Sequence, residues 1–194
     1  DNVCNAIPLT MGLNGPFTNA GATIEAGEPV PPGTGYTTQT GWGSGQTISH
    51  TVWFSFVAPP SGRVSIGNNP NFNLWDNQFA LYSGAACEGF EEFTLLAAND
   101  DSTASIDPWK AWIAPICLTP GMTYYFQTDG YGTGQNSNWG IRLKDEGNEP
   151  PVISGCPANI AVPVNASGCS ANVSWTLPTA TDPDNCITPL SFTS

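Results

Sequence analysis

Three segments of this chain share one pattern: Trp53-Phe-Ser-Phe-Val57, Asp76-Asn-Gln-Phe-Ala-Leu-Tyr-Ser-Gly84 and Thr123-Tyr-Tyr-Phe-Gln-Thr-Asp-Gly-Tyr131. Each alternates aromatic or aliphatic residues with small polar ones. That period of two puts successive side chains on opposite faces of a strand. Gly, Asp and Asn punctuate the segment ends, and Asn99-Asp-Asp-Ser102 lies between the second and third; these residues turn a chain sharply. The pattern predicts strands with one buried face and one wet face, hence an all-β sandwich. Long Leu/Ala/Glu/Lys runs are absent, and only Glu88–Leu96 is expected to form as much as one helical turn.

Charge narrows the function classes. Four Lys plus Arg stand against sixteen Asp plus Glu, a formal net charge of −12 in 194 residues. Such a polyanion repels phosphate backbones and anionic lipid, so neither nucleic acid nor membrane insertion is expected. No apolar run approaches the ~20 residues of a membrane-spanning helix. Seven Trp, nine Phe and five Tyr nevertheless supply ample apolar area for a core.

Six cysteines without a Cys-x-x-Cys pair point to disulfides in an oxidising compartment and away from zinc. The chain opens at Asp1, which reads as a mature form whose leader has been removed. Residues 1–145 hold Cys4, Cys87 and Cys117, and residues 150–194 hold Cys156, Cys169 and Cys186. Three and three do not both pair internally. Cys87–Cys117 is the expected bond of the first set, with Cys4 free or partnered elsewhere, although spacing alone leaves the connectivity open.

Around Lys144-Asp-Glu-Gly-Asn-Glu-Pro-Pro151 a charged, proline-ended stretch follows Trp139-Gly-Ile-Arg-Leu143 and suits a domain boundary. We expect a module over 1–145, a linker over 146–151 and a second module over 152–194. The second carries Pro150-Pro-Val-Ile153, Cys156-Pro157, Cys169 and Asp184-Asn-Cys186, and it resembles a hyalin-repeat domain, an immunoglobulin-like sandwich. The match is partial, because the C-terminal strands and closing cysteine of that repeat are missing. Half a sandwich exposes a long edge, to be covered by further polypeptide of the same protein or by strands from a neighbouring chain.

The first module carries Asp1-Asn-Val-Cys-Asn-Ala-Ile-Pro-Leu9, Thr18–Thr23, Val52–Pro59, Phe79–Gly84, Asn99-Asp-Asp101 and Pro120–Tyr131, in that order. It resembles the bacterial pre-peptidase C-terminal-like domains. The resemblance implies a jelly-roll-like β-sandwich of the kind attached to secreted hydrolases and large surface proteins, especially in Bacteroidetes. Tyr36–Ser49, rich in Gly, Thr and Gln, departs from the family pattern and reads as a long surface loop. Together the two resemblances imply a secreted, cell-surface-associated protein. Its expected work is adhesion or filament-like extracellular assembly, its partners glycan or protein surfaces, with self-assembly by strand complementation. The alternative is a carbohydrate-binding accessory module of a secreted hydrolase.

No catalytic signature is present. The single histidine, His50, lacks a nucleophile-elbow context, and no histidine-pair metal motif or phosphate-binding glycine loop occurs. Calcium is the expected cofactor. Asp76, Asn77, Asn99, Asp100, Asp101 and Asp129 fall at strand ends or turns, where oxygen donors gather around a hard cation. Asp100 and Asp101 are the leading ligands; the bland alternative is turn chemistry in which the side chains bond their own backbone. Trp42, Trp75, Trp109 and Trp112 are the candidate ligand-contact aromatics, since a flat ring stacks on a sugar or anchors an interface. Asn165-Ala-Ser167 and Asn172-Val-Ser174 match the N-glycosylation pattern, and Asp101-Ser102-Thr103 matches a short bacterial O-glycosylation pattern.

Overall fold

The computed structural model describes residues 2–73, 75–102, 109–164, 168, 170–184 and 186. It divides into two compact units, Asp1–Gly147 and Asn148–Ser194. Strands in the first unit are β1 (Ile7–Pro8), β2 (Gly12–Thr18), β3 (Val52–Val57), β4 (Arg63–Asn68), β5 (Asn77–Ser83) and β6 (Thr94–Asn99). They continue with β7 (Ile113–Cys117), β8 (Thr123–Gly130) and β9 (Ser137–Asp145). A five-stranded sheet runs β1-β3-β8-β5-β6 and a four-stranded sheet runs β2-β9-β4-β7. Glu88–Leu96 forms turns and then enters β6, so the helical turn expected there does not form. Among the described residues the one helical element is a 3₁₀ turn at Val3–Asn5. No helix among them is long and apolar enough to cross a membrane.

The alternation in the sequence sets the layers. Phe54 and Phe56 of β3, Phe79 and Leu81 of β5 and Phe126 of β8 point toward Val64, Ile66, Trp139, Ile141 and Leu143 of the other sheet. Both sets are buried, and the seam is aromatic: Phe54 meets Trp139 at 5.9 Å and Phe17 at 4.8 Å between ring centroids. This is the two-sheet packing of a β-sandwich.

The opposite face of the five-stranded sheet is not wet, contrary to the expectation from alternation. Trp53, Ala80, Tyr82 and Ala98 project there and form a second buried cluster with Val3 and Trp42. The segment between β2 and β3 crosses this face, and Phe90 and Phe93 close it from the loop after β5. Trp42 is fully buried, and its indole Nε1 donates to the Phe79 carbonyl at 2.9 Å. Trp53 Nε1 likewise donates to Glu28 Oε1 at 2.9 Å. Tyr36–Ser49 is therefore a cover anchored by a tryptophan, not a free surface loop. Trp42→Phe leaves the Phe79 carbonyl without that donor and is expected to cost roughly 1–2 kcal/mol, read as a lower urea midpoint with an unchanged slope.

The disulfide expectation is corrected. Cys87 bonds Cys4, with 4.8 Å between Cα atoms. Cys117 ends β7 in the four-stranded sheet, whereas Cys87 follows β5 in the five-stranded one. Cys117 is disulfide-bonded, but not to Cys87. The bonds place the chain in an oxidising environment.

In the second unit β10 (Val152–Ser154) pairs antiparallel with β11 (Thr179–Thr181), Ile153 opposite Ala180. Its Val152, Ile153, Val164, Trp175 and Leu177 are all exposed, and Cys156 is a free, exposed thiol. Cys169 and Asn165–Ser167 lie outside the described residues, while Asn172 is exposed.

Candidate metal centre

Strand pairing brings three chain ends to one place. β5 and β6 run antiparallel with Phe79 opposite Asn99, and β5 and β8 pair Asn77 with Gly130. The residues just before β5, just after β6 and just after β8 therefore share one end of the sheet. They are Asp76, then Asp100 and Asp101, then Tyr131. Backbone bonds fix them: Tyr131 N–H donates to the Asp76 carbonyl at 3.1 Å, and Asp101 N–H to the Tyr36 carbonyl at 2.7 Å.

One carboxylate oxygen from each of Asp76, Asp100 and Asp101 lies within 4.8 Å of the other two, so this cluster can hold a metal ion. Asp100 is its floor, with no exposed surface. Its Oδ2 accepts the Gly43 N–H at 2.9 Å and the Gln78 amide at 3.0 Å. Its Oδ1 is buried with no hydrogen-bond partner, as is Oδ1 of Asp76. A buried carboxylate oxygen without a donor is costly unless a cation or proton meets it. Gly43 is needed for this geometry, because a Cβ there would overlap the Tyr36 ring.

Electrostatics agree. Burial, then the Asp101 and Asp100 charges, push the Asp76 carboxyl up to about 6, with Lys110 opposing. Burial also raises Asp100, although the Gly43 and Gln78 donors resist, and burial plus Asp100 raises Asp101. All three carboxyls thus resist ionising, chiefly through burial, and a bound cation would favour their charged forms. Lys110 is itself nearly buried; desolvation lowers its pKa while Asp76 raises it.

The cluster opens into a pocket of about 250 Å³ lined by Tyr36, Asp76, Asp101, Trp109 and Tyr131. Trp109 is 63% exposed, and the Tyr36 and Tyr131 ring centroids are 6.3 Å apart. Of the expected ligand-contact tryptophans, Trp109 alone lines this pocket. Trp42 is the anchor described above. Trp75 is buried against Trp139, with ring centroids 5.7 Å apart. Trp112 is half-buried, and its backbone N–H donates to Asn99 Oδ1 at 2.8 Å.

Three expected metal ligands are committed elsewhere. The Asn99 amide donates to the Thr38 and Asp101 carbonyls at 2.7 and 2.8 Å, so it ties loops and does not face an ion. Asp129 is fully buried on the covered face of β8. It accepts the N–H groups of His50 at 3.1 Å and Gly130 at 2.7 Å, together with that of Ser49. Asn77 Nδ2 donates a hydrogen bond to Asn68 Oδ1 at 2.7 Å. Ser49 Oγ lies 3.1 Å from His50 Nδ1 and donates to Asp129 at 3.4 Å, while imidazole Nε2 faces Gln135 at 2.8 Å. The carboxylate therefore meets the hydroxyl and not the imidazole, which is not the order of a Ser-His-Asp triad. Thr103 of the O-glycosylation pattern lies outside the described residues. Tyr36, Gly43, Gln78 and Tyr131 escaped sequence reasoning; adjacency of Tyr131 to Asp129-Gly130 was the one signal available.

Compared with known proteins, the chain matches no family model, no curated protein and no solved structure.

Proposed function

We propose that this chain belongs to a secreted, non-catalytic cell-surface protein of the adhesion or extracellular-assembly class, and that its first unit holds a structural Ca²⁺ at Asp76, Asp100 and Asp101. The observation that carries the reading is Asp100, a fully buried carboxylate whose Oδ1 has no partner beside two further carboxylates. The three donors are all oxygen, which suits a hard cation over zinc or copper. Mg²⁺ demands near-ideal octahedral geometry and keeps its waters, whereas Ca²⁺ accepts an irregular set of six to eight oxygens. Bound there, the ion would tie the entry of β5 to the exit of β6.

The sheet orders β2-β9-β4-β7 and β1-β3-β8-β5-β6 support the jelly-roll assignment, and the accessory, non-enzymatic role is the part of this proposal that rests on the motif order of residues 1–145. The assembly half draws support from the second unit, whose described large apolar side chains stand in solvent. Such a surface is an interaction face, and further strands packed on it would complete a sandwich. A carbohydrate-binding role is the second reading, favoured by Tyr36, Trp109 and Tyr131 at the mouth of the pocket.

Titration calorimetry of the whole chain with Ca²⁺, Mg²⁺ and Zn²⁺ tests the metal reading. One Ca²⁺ per chain, weakened by Asp101→Asn, is expected; preference for Zn²⁺, or no heat with any of the three, overturns it. Light scattering over a concentration series tests assembly, where a growing mass supports it and a constant monomer mass removes it.

A further inference from the structure

We infer that the pocket over the carboxylate cluster is a glycan site, in which Ca²⁺ held by Asp76, Asp100 and Asp101 takes two neighbouring hydroxyls of a neutral sugar and Trp109 covers the ring. The inference rests on the calcium reading above.

Three observations converge on it. First, coordination has room. Three carboxylates supply three to six of the six to eight oxygens Ca²⁺ takes. Asp100 closes the site from below, and among the described residues the remaining positions face the pocket that Asp76 and Asp101 line. Adjacent hydroxyls on a pyranose can fill two such positions, replacing water without a change in charge.

Second, the rim is aromatic and accessible. Tyr36, Tyr131 and Trp109 are 40%, 43% and 63% exposed, unlike the core aromatics, which are nearly all sealed. Exposed rings beside a polar floor match a ligand with an apolar C–H face and a polar edge. At about 250 Å³ the pocket is smaller than the ~300–1,000 Å³ of drug-sized sites. It suits one terminal sugar residue and not a buried chain.

Third, charge selects a neutral ligand. Three carboxylates around one Ca²⁺ leave a formal −1, and the nearby Lys110 does no more than balance it. The chain as a whole is at −12. A carboxylated or phosphorylated ligand would therefore gain no net attraction.

The test uses the full chain with three neutral probes, methyl α-D-mannopyranoside, methyl β-D-galactopyranoside and L-fucose, plus N-acetylneuraminic acid as the anionic comparison. Tryptophan fluorescence and calorimetry are read with Ca²⁺ and with EDTA. At least one neutral probe is expected to bind with a Kd near ~1 mM or tighter, in Ca²⁺ only. Trp109→Ala should weaken it up to ~10-fold, the scale of one lost aromatic contact, while leaving the Ca²⁺ affinity unchanged. If Ca²⁺ binds but no neutral probe does at about 10 mM, well above a millimolar Kd, the glycan inference falls and the calcium reading stands. Equal sugar binding in EDTA, or preference for the anionic probe, overturns the bridging geometry. No Ca²⁺ binding removes both.

Discussion

Replacing Cys4 and Cys87 together by serine is expected to cost the first unit about 4.5 kcal/mol, the chain-entropy value for a loop of that length. The bond spans 83 residues, so its loss frees a large part of the unfolded ensemble. Besides this bond, the N-terminal segment is held by the Val3 N–H, which donates to Glu25 Oε2 at 3.2 Å, and by Leu9 in the core. β1 is two residues long and pairs parallel with β3 only at Ile7–Phe54 and Pro8–Ser55. Val3 reaches the covered cluster, but Cys4 itself is exposed. Urea denaturation of the double variant, read against the parent, should show the midpoint fall. A loss below about 1 kcal/mol would mean that the unfolded chain keeps this contact, or that the native bond is offset by strain elsewhere.

That bond also marks where sequence reasoning stops. Cysteine spacing is one-dimensional, whereas Cys4 meets Cys87 because Val3 packs in one cluster with Tyr82 on the covered face of the five-stranded sheet. Nothing local in Asp1–Leu9 announces that contact. The strands themselves were legible, since Phe54, Phe56, Phe79, Leu81 and Phe126 all fall on the predicted period and all lie in the core. What the period cannot say is whether the second face meets water or a folded-over loop; Trp42 decides that, and its burial depends on a chain segment with no strand pattern of its own.

The acidic centre divides in the same way. Asp76, Asp100 and Asp101 carry their chemistry in the sequence, in turn contexts that favour oxygen donors. Which carboxylates converge is a matter of register. Gln78 lies opposite Asp129 and Asn77 opposite Gly130, so Asp129 sits one step inside the sheet and is spent on backbone amides. A slip of one residue would exchange these roles. Asn99 is likewise taken by the loop carbonyls of Thr38 and Asp101.

Calcium and protons should compete at this centre, with a sign fixed by the raised carboxyl pKa values. Asp76, held near 6 by burial and by Asp101 and Asp100 against Lys110, binds its proton more tightly folded than unfolded. Asp100 and Asp101 are shifted the same way, chiefly by burial. Between the ordinary carboxylate value near 4 and about 6 the folded state therefore holds more protons. Calcium-free protein should lose stability as pH rises through that window. Bound Ca²⁺ reverses the trend, because it needs the carboxylates ionised. From pH 5 to 7 displacement of the Asp76 proton alone raises Ca²⁺ affinity by about 10-fold. Solvent around the half-exposed Asp76 trims that factor, and the other two carboxyls enlarge it. At pH 7, with free Ca²⁺ at about 100 times its Kd, stabilisation of about 2.7 kcal/mol is expected. For a domain of this size that is roughly 5–11 °C in Tm. Thermal scans at pH 4.5, 5.5 and 7, with Ca²⁺ or EDTA, decide the matter: the two curves should nearly coincide in acid and separate as pH rises. Asp100→Asn should flatten both effects, since it removes the buried charge that the ion compensates. A calcium-free protein that grows more stable toward pH 7 would mean that these carboxylates are already satisfied without a cation.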